Sequence, residues 1–209
     1  MADSNSPIIA DSTNRLFPVF LKLENLQLLI VGGGYVGFEK LNTVLQNAPA
    51  AKVKLVAREI SKEVRKLAAA HPLVVLVERE YDASDIDDIT DLVIAAVNDP
   101  VLSSQVHADA KAKRRLVNVA DKPGLCDSYL GSVVQKGSVK LAISTNGKSP
   151  TVAKRLREVL EDLLPSEMES LLENMTQIRL QLKGDFTEKV KKLNELTSVL
   201  VSSAKEENI

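Results

Sequence analysis

An apolar stretch, LQLLIV at residues 26–31, runs without a break into GGGYVG. Gly32, Gly34 and Gly37 thereby take the spacing G-x-G-x-x-G between a strand candidate, Leu26–Val31, and a helical pattern carried by Val36, Leu41, Val44 and Leu45. A strand, a sharp turn and a helix in that order constrain a chain severely. The first glycine permits the turn, the second lets the backbone approach a pyrophosphate, and the third lets helix and strand pack closely. The helix start then offers unpaired N–H groups and a positive dipole end to phosphate. This context reads as a dinucleotide site, with glycines used solely for packing as the rival.

Four more strand candidates follow: Ala51–Ala57, Leu73–Val77, Asp91–Val97 and Leu116–Ala120. AKVKLVA alternates lysine with apolar residues, whereas DLVIAAV is almost wholly apolar and implies burial on both faces. Helical patterns separate the strands, one capped by Ser61 and running to Ala70, another from Pro100 to Lys113. This succession predicts a Rossmann-like α/β fold with a parallel sheet. The pattern then changes. Ser132–Gln135 and Ser138–Ser144, about a Lys136–Gly137 turn, read as a β-hairpin. Helices are expected over Ser149–Leu163, Ser166–Leu182 and Phe186–Ser203, punctuated by Pro165 and Gly184. The expected organisation is a flexible arm (1–14), a dinucleotide-binding Rossmann-like domain (15–122), a β-hairpin linker (123–148) and a helical C-terminal domain (149–209).

A net charge of -1 supplies no global attraction to nucleic acid, so an anionic partner must meet local basic patches. The apolar runs are far too short to span a bilayer, and MADSNSPIIADSTN lacks the pattern of a secretory signal. No nucleic-acid or membrane partner is expected. The single cysteine, Cys126, rules out an intrachain disulfide and fits a reducing cytoplasm, where it reads as a small apolar filler. With two histidines beside it, no dedicated zinc site is visible.

Ligands of such sheets lie beyond the carboxyl ends of the strands. Arg58 and Glu59 follow the second strand, and Glu59 stands near the spacing of about 20 residues at which a carboxylate reads the ribose hydroxyls. Glutamate favours NAD and arginine tolerates NADP, so both stay open, with NAD preferred. Asn98 is placed to line the cofactor pocket, although Asn98 or Asp99 also suits a helix N-cap. Asp121, after the fifth strand, can take or give a proton beside a nicotinamide, or can serve as a turn residue before Lys122-Pro123.

Four segments taken in order carry a resemblance: FPVFLKLENLQLLIVGGGYVGFEK, DLVIAAVNDPVLSSQV, NVADKPGLCDSYLGS and KLAISTNGKSPTVAKRLREVLEDLLP. From about Leu16 to Pro165 the chain resembles the siroheme-synthase family, in particular its precorrin-2 dehydrogenase/sirohydrochlorin ferrochelatase module. The resemblance implies NAD-dependent oxidation of precorrin-2 to sirohydrochlorin. In bifunctional members, Fe2+ is then inserted as a substrate to give siroheme. It implies that Asp121, which ends the N-V-x-D motif, manages protons in both reactions, and is the one metal-side residue if chelation occurs. It places cofactor contacts on Gly33, Gly34, Tyr35 and Val36, which join Gly32, Gly37, Arg58, Glu59 and Asn98. It places substrate contacts on the S-x-x-G-x-S-P loop: Ser144, Thr145, Asn146, Lys148 and Ser149. Thr145 stands where relatives often carry serine, in some a phosphorylation site.

Precorrin-2 is a polycarboxylate, and Lys122, Lys148, Lys154, Arg155 and Arg157 lie in sequence near the two loops. The family's intertwined homodimers imply a partner for the helical tail, whose leucine stripe is otherwise read as internal packing. The residues after Pro165 are too few for the methyltransferase that some bacteria fuse to this module, so precorrin-2 is expected from a separate enzyme. A non-catalytic NAD- or tetrapyrrole-binding sensor is the rival of another class. A potassium-channel regulatory domain shares the glycine turn but not the later motifs.

Overall fold

The computed structural model describes residues 14–182 and 185–197. Residues 1–13 of the expected arm, Gly184 and the last helix beyond Thr197 lie outside the described residues. Five strands, β1 (Gln27–Val31), β2 (Lys52–Ala57), β3 (Val74–Glu78), β4 (Thr90–Ala95) and β5 (Leu116–Val119), form one parallel sheet in the order β3-β2-β1-β4-β5. Helices α1 (Tyr35–Asn47), α2 (Lys62–Ala69) and α3 (Pro100–Ala112) make the crossovers. This is the Rossmann-like architecture expected from the alternation of periods.

The period-two side-chain alternation of the strands splits the core in two. Leu28 and Ile30 of β1, Val53 and Leu55 of β2 and Ile94 of β4 meet Leu41, Val44 and Leu45 of α1 and Val64 of α2. On the other face Leu29, Val31, Val93 and Val117 meet Val106 and Ala110 of α3. Each such fully buried aliphatic side chain contributes about 1.5–3 kcal/mol. Caps end the helices where the sequence signals them. Ser61 Oγ accepts the Val64 N–H at 3.3 Å, and Asp99 Oδ1 accepts the Val101 and Leu102 N–H groups at 2.8 and 3.2 Å. β4 begins one residue earlier than expected. Its register with β1 shifts after Gln27, and the Asp91 carboxylate accepts the Gln27 N–H at 2.9 Å.

Two compact units emerge, and the chain passes between them more than once. The first contains the sheet and the loop Ser144–Pro150; the second contains residues 132–143 and the chain from Thr151 onward. In the second, β6 (Ser132–Lys136) and β7 (Val139–Ile143) form an antiparallel hairpin. Lys136 still pairs with Val139, so the turn is Gly137–Ser138, one residue later than read. Helices α4 (Pro150–Leu163), α5 (Met168–Gln181) and α6 (Phe186–Thr197) complete the chain. Glu169 of α5 accepts the Ser138 hydroxyl at 2.9 Å, tying the turn to that helix.

One buried charge cluster went unread. The α3 face of the sheet has only the short 3-10 turn Ala83–Asp85 near β2 and β3, and Lys54 of β2 points there. Asp85 is fully buried and pairs with Lys54 at 2.8 Å and Arg79 at 2.6 Å, while its Oδ2 accepts the Asp82 N–H at 3.0 Å. Burial alone would raise the Asp85 carboxyl, but the Arg79 and Lys54 bonds outweigh it and hold the group well below the usual carboxylate range. A depressed folded-state value gives stability that is present above about pH 4 and is lost as pH falls through the folded value. Asp85→Asn should therefore cost about 3 kcal/mol at pH 7 and flatten the loss of stability below pH 4, measured by urea denaturation across pH. Wild-type acid sensitivity in the variant would remove Asp85 as its cause.

Candidate functional site

The carboxyl ends of β1, β2 and β4 open into a cleft of about 630 Å³ at the point where strand order reverses. Gly32, Gly33, Gly34, Tyr35, Val36, Arg58, Glu59 and Asn98 line it, so most of the expected cofactor residues converge. Gly37 is not in the lining. It is buried in α1, where an added Cβ would stand 2.1 Å from the Gly32 oxygen, so its role is close helix–strand contact.

The glycines divide by what surrounds them. Gly32 has φ +123°, and a Cβ there would meet the Ala96 oxygen at 2.2 Å. At Gly33 a Cβ would meet the Glu59 oxygen at 2.5 Å, and the Gly33 carbonyl accepts the Ser61 N–H at 2.9 Å. Gly34 differs: its Cβ would meet no protein atom within 4 Å, because that space belongs to the cleft. It is also the N-cap of α1, so no cap side chain takes the first N–H groups of the helix. An uncapped 13-residue helix aimed into a cleft of cofactor size fits a pyrophosphate. Tyr35 exposes its ring at the same lip, with its phenol raised above its usual range by the hydrogen bond and charge of Glu39.

Among the lining residues that the sequence did not single out, two carry a charge or a phenol. Glu80 and Tyr81 follow β3 and join Arg58 and Glu59 at the β2 side. Their signal was position alone, directly after a strand's carboxyl end. Tyr81 donates its hydroxyl to Asp109 of α3 at 2.9 Å, and burial followed by that bond pushes its phenol far up. The ring is thereby fixed as a wall. The neighbouring Arg79 pairs with Asp85, and Arg58, Glu59, Glu80 and Asp99 are the charged residues of the cleft lining.

Asp121 does not line the cleft. It follows β5, whose pairing with β4 continues in the bond from the Ala120 N–H to the Ala95 carbonyl at 2.9 Å, so it stands at the same sheet edge one strand away. Its φ of +58° is left-handed, an uncommon state for a residue with a side chain. Asn98 and Asp99 both line the cleft, and Asp99 is the cap of α3, which resolves the capping choice between them.

The loop with Ser144, Thr145, Asn146, Lys148 and Ser149 groups with the sheet unit but lies outside the cleft lining. Thr145 Oγ1 accepts the Ser149 N–H at 3.2 Å and donates to the Ser149 carbonyl at 3.1 Å, and the Ser144 hydroxyl accepts the Asn146 N–H. Arg155 and Arg157 pair with Glu158 and Glu161 of their own helix at 2.7 and 3.5 Å, while the Lys122 ammonium lies 3.5 Å from the Pro100 carbonyl. Cys126 packs against the α3-side core, as a small apolar filler should, and its sulfur also accepts the Val119 N–H at 3.3 Å. Among the described residues no three His, Cys, Asp or Glu side chains gather as a metal site, and no helix is long and apolar enough to cross a membrane.

Comparison with known families decides the kinship. A family model described as "Putative NAD(P)-binding" matches residues 19–132, the sheet and its glycine turn. The chain belongs to this family. A second model, "Sirohaem biosynthesis protein central", matches residues 136–163, from the hairpin turn through α4. Relatives include siroheme synthase of Psychrobacter sp. (strain PRwf-1), 37% identical over 175 residues that cover 84% of this chain and 34% of that protein. Siroheme synthase 1 of Klebsiella pneumoniae subsp. pneumoniae is 36% identical over 170 residues, covering 81% of this chain and 35% of that protein. The chain thus spans about a third of the length of the curated relatives it matches. The solved structure of "SirC, precorrin-2 dehydrogenase" shares the fold, with a TM-score of 0.67 at 24% identity over 87% of this chain and 89% of that one.

The glycines of this NAD(P)-binding family member give a sharp contrast. Gly34→Ala should leave the melting temperature within a few degrees while weakening NAD binding at least tenfold, because the new methyl fills only cleft space. Gly32→Ala and Gly37→Ala should each destabilise by about 3 kcal/mol or more, since backbone must move. Calorimetric melting with NAD titration separates the two, and a Gly34→Ala protein that binds NAD normally would refute the assignment of that space.

Proposed function

We propose that the chain is an NAD-dependent precorrin-2 dehydrogenase, which makes sirohydrochlorin for siroheme biosynthesis. The supporting observation is the pairing, at one sheet edge, of a dinucleotide-shaped cleft with the Asp121 carboxylate at the next strand end. The names of the siroheme synthase relatives and of the structural neighbour point to the same reaction. Oxidation removes one hydride and one proton from the tetrapyrrole. The bound NAD supplies the hydride acceptor. The α1 N–H groups would hold its pyrophosphate, and Tyr81 lines the same cleft with Arg58 and Glu59. As one C–H bond gives up its hydride, Asp121 takes the balancing proton from a neighbouring N–H or C–H of the macrocycle. Lys148 and the Ser144–Ser149 loop meet the substrate's carboxylates.

NAD is favoured over NADP by charge. Glu59 can accept the ribose hydroxyls, and with Glu80 it sets two negative charges against Arg58 where a 2′-phosphate would sit. A homodimer is part of this reading. Leu156, Val159 and Leu163 follow helical spacing along α4 yet are 45%, 54% and 66% exposed, and α5 and α6 bury no residue. Such apolar faces suit a second copy. The protein acts in the cytoplasm.

The deciding experiment is anaerobic incubation with precorrin-2 and NAD, then Fe2+, followed by absorbance. NAD-dependent sirohydrochlorin should form, and Asp121→Ala should lower its rate at least a hundredfold. NAD binding without any turnover would favour the sensor, and iron insertion above the rate without enzyme would add the chelatase. In the same assay, Glu59→Gln with Glu80→Gln should raise affinity for NADP about tenfold or more while Glu80→Gln alone leaves NAD binding nearly unchanged. Unaltered NADP affinity would remove both carboxylates from cofactor selection.

A further inference from the structure

The loop that carries Asp121 is bound back onto its own strand. Asp121 occupies the third position of a turn closed by the Lys122 N–H to the Val119 carbonyl at 3.2 Å. Glycine, asparagine and aspartate tolerate this left-handed position best, so the turn accepts Asp121, and its surroundings fix the turn. Those surroundings are specific. The Cys126 sulfur lies 3.3 Å from the Val119 nitrogen and 3.3 Å from each of the Val119 and Lys122 carbonyl oxygens, touching both ends of the turn. It accepts the N–H and gives its single proton to one carbonyl at a time. Asn118 is buried, donates to the Ser128 carbonyl at 2.7 Å and stands 3.6 Å from the same sulfur. Asp127 completes the strap through the Val117 backbone, giving its N–H at 2.8 Å and accepting one at 3.1 Å.

Neither Asn118 nor Cys126 lines the nucleotide cleft, and nothing in cofactor binding explains a buried amide and a bonded thiol at this point. We propose that Asn118 and Cys126 are positioning residues that hold the Val119–Lys122 turn so that the Asp121 carboxylate meets the substrate. This rests on the reading of the site as a precorrin-2 dehydrogenase with Asp121 as its proton acceptor. Without the strap, Asp121 relaxes out of its left-handed state and its carboxylate leaves the reacting atom.

The test is a double-mutant cycle. Cys126→Ala and Asn118→Ala should each lower kcat about tenfold or more in the anaerobic assay, with NAD affinity unchanged and the acidic limb of the kcat–pH profile displaced. Cys126→Ser, which keeps a donor and acceptor, should recover much of the rate. In an Asp121→Ala background neither change should cost anything further in single turnover. Equal losses in both backgrounds would reduce the strap to a structural element, and full activity of the single variants would overturn the proposal outright. Should Asn118→Ala fail to fold, the Cys126 variants carry the cycle. Where Asp121→Ala leaves no measurable rate, the pH limb decides, and an unmoved limb overturns the proposal. A wild-type protein without NAD-dependent oxidation would instead overturn the dehydrogenase reading, and the positioning role with it.

Discussion

The backbone at Gly32 passes through a gap that admits no side chain. On one side lies the Ala96 carbonyl at the end of β4, and on the other the Gly37 turn of α1 presses against the Gly32 oxygen. Contact at both sides sets the distance between β1, β4 and the first helix. Once that distance is set, the N-terminus of α1 has one direction to face, into the crevice where β1 and β4 part company. The cleft, its uncapped N–H groups and the open space above Gly34 are consequences of this approach. The same contact explains why neighbouring glycines do different work. Gly32, Gly33 and Gly37 are required by protein atoms, whereas a Cβ at Gly34 would meet none within 4 Å.

Parallel pairing carries the consequence outward. Because β4 and β5 run with β1, every strand delivers its following loop to one edge, and residues far apart in sequence arrive as neighbours. Asn98, Glu59, Glu80 and Asp121 each follow a different strand. The edge also has a charge logic. Asp85 pairs with Arg79 and Lys54 on the α3 face, while Arg58, Glu59 and Glu80 line the cleft.

Much of this architecture was legible in the chain itself. The strands, the helices and the cap at Ser61 followed from periodicity and short-range hydrogen bonding, which local sequence dictates, and the cap of α3 was narrowed to Asn98 or Asp99. The glycine spacing located the cofactor turn for the same reason. Glu80 and Tyr81 were missed because no local pattern marks them; they matter because β3 ends beside β2. The Cys126 hydrogen bond was missed because a lone cysteine says nothing about backbone groups seven residues earlier in the chain. The hairpin turn slipped by one residue because register depends on the pairing partner as much as on the glycine.

By itself, the sequence determined the alternation of strand and helix, the position of the dinucleotide turn and the set of polar residues that could reach the strand ends. These are consequences of side-chain size, polarity and spacing along a few turns of chain. The tertiary structure alone decided which of those residues share a cleft and which merely share an edge. It set Asp121 in a left-handed turn strapped by Asn118 and Cys126, and it pinned Tyr81 against Asp109. Those outcomes depend on contacts between segments distant in sequence, whose geometry exists only when the sheet has closed around Gly32.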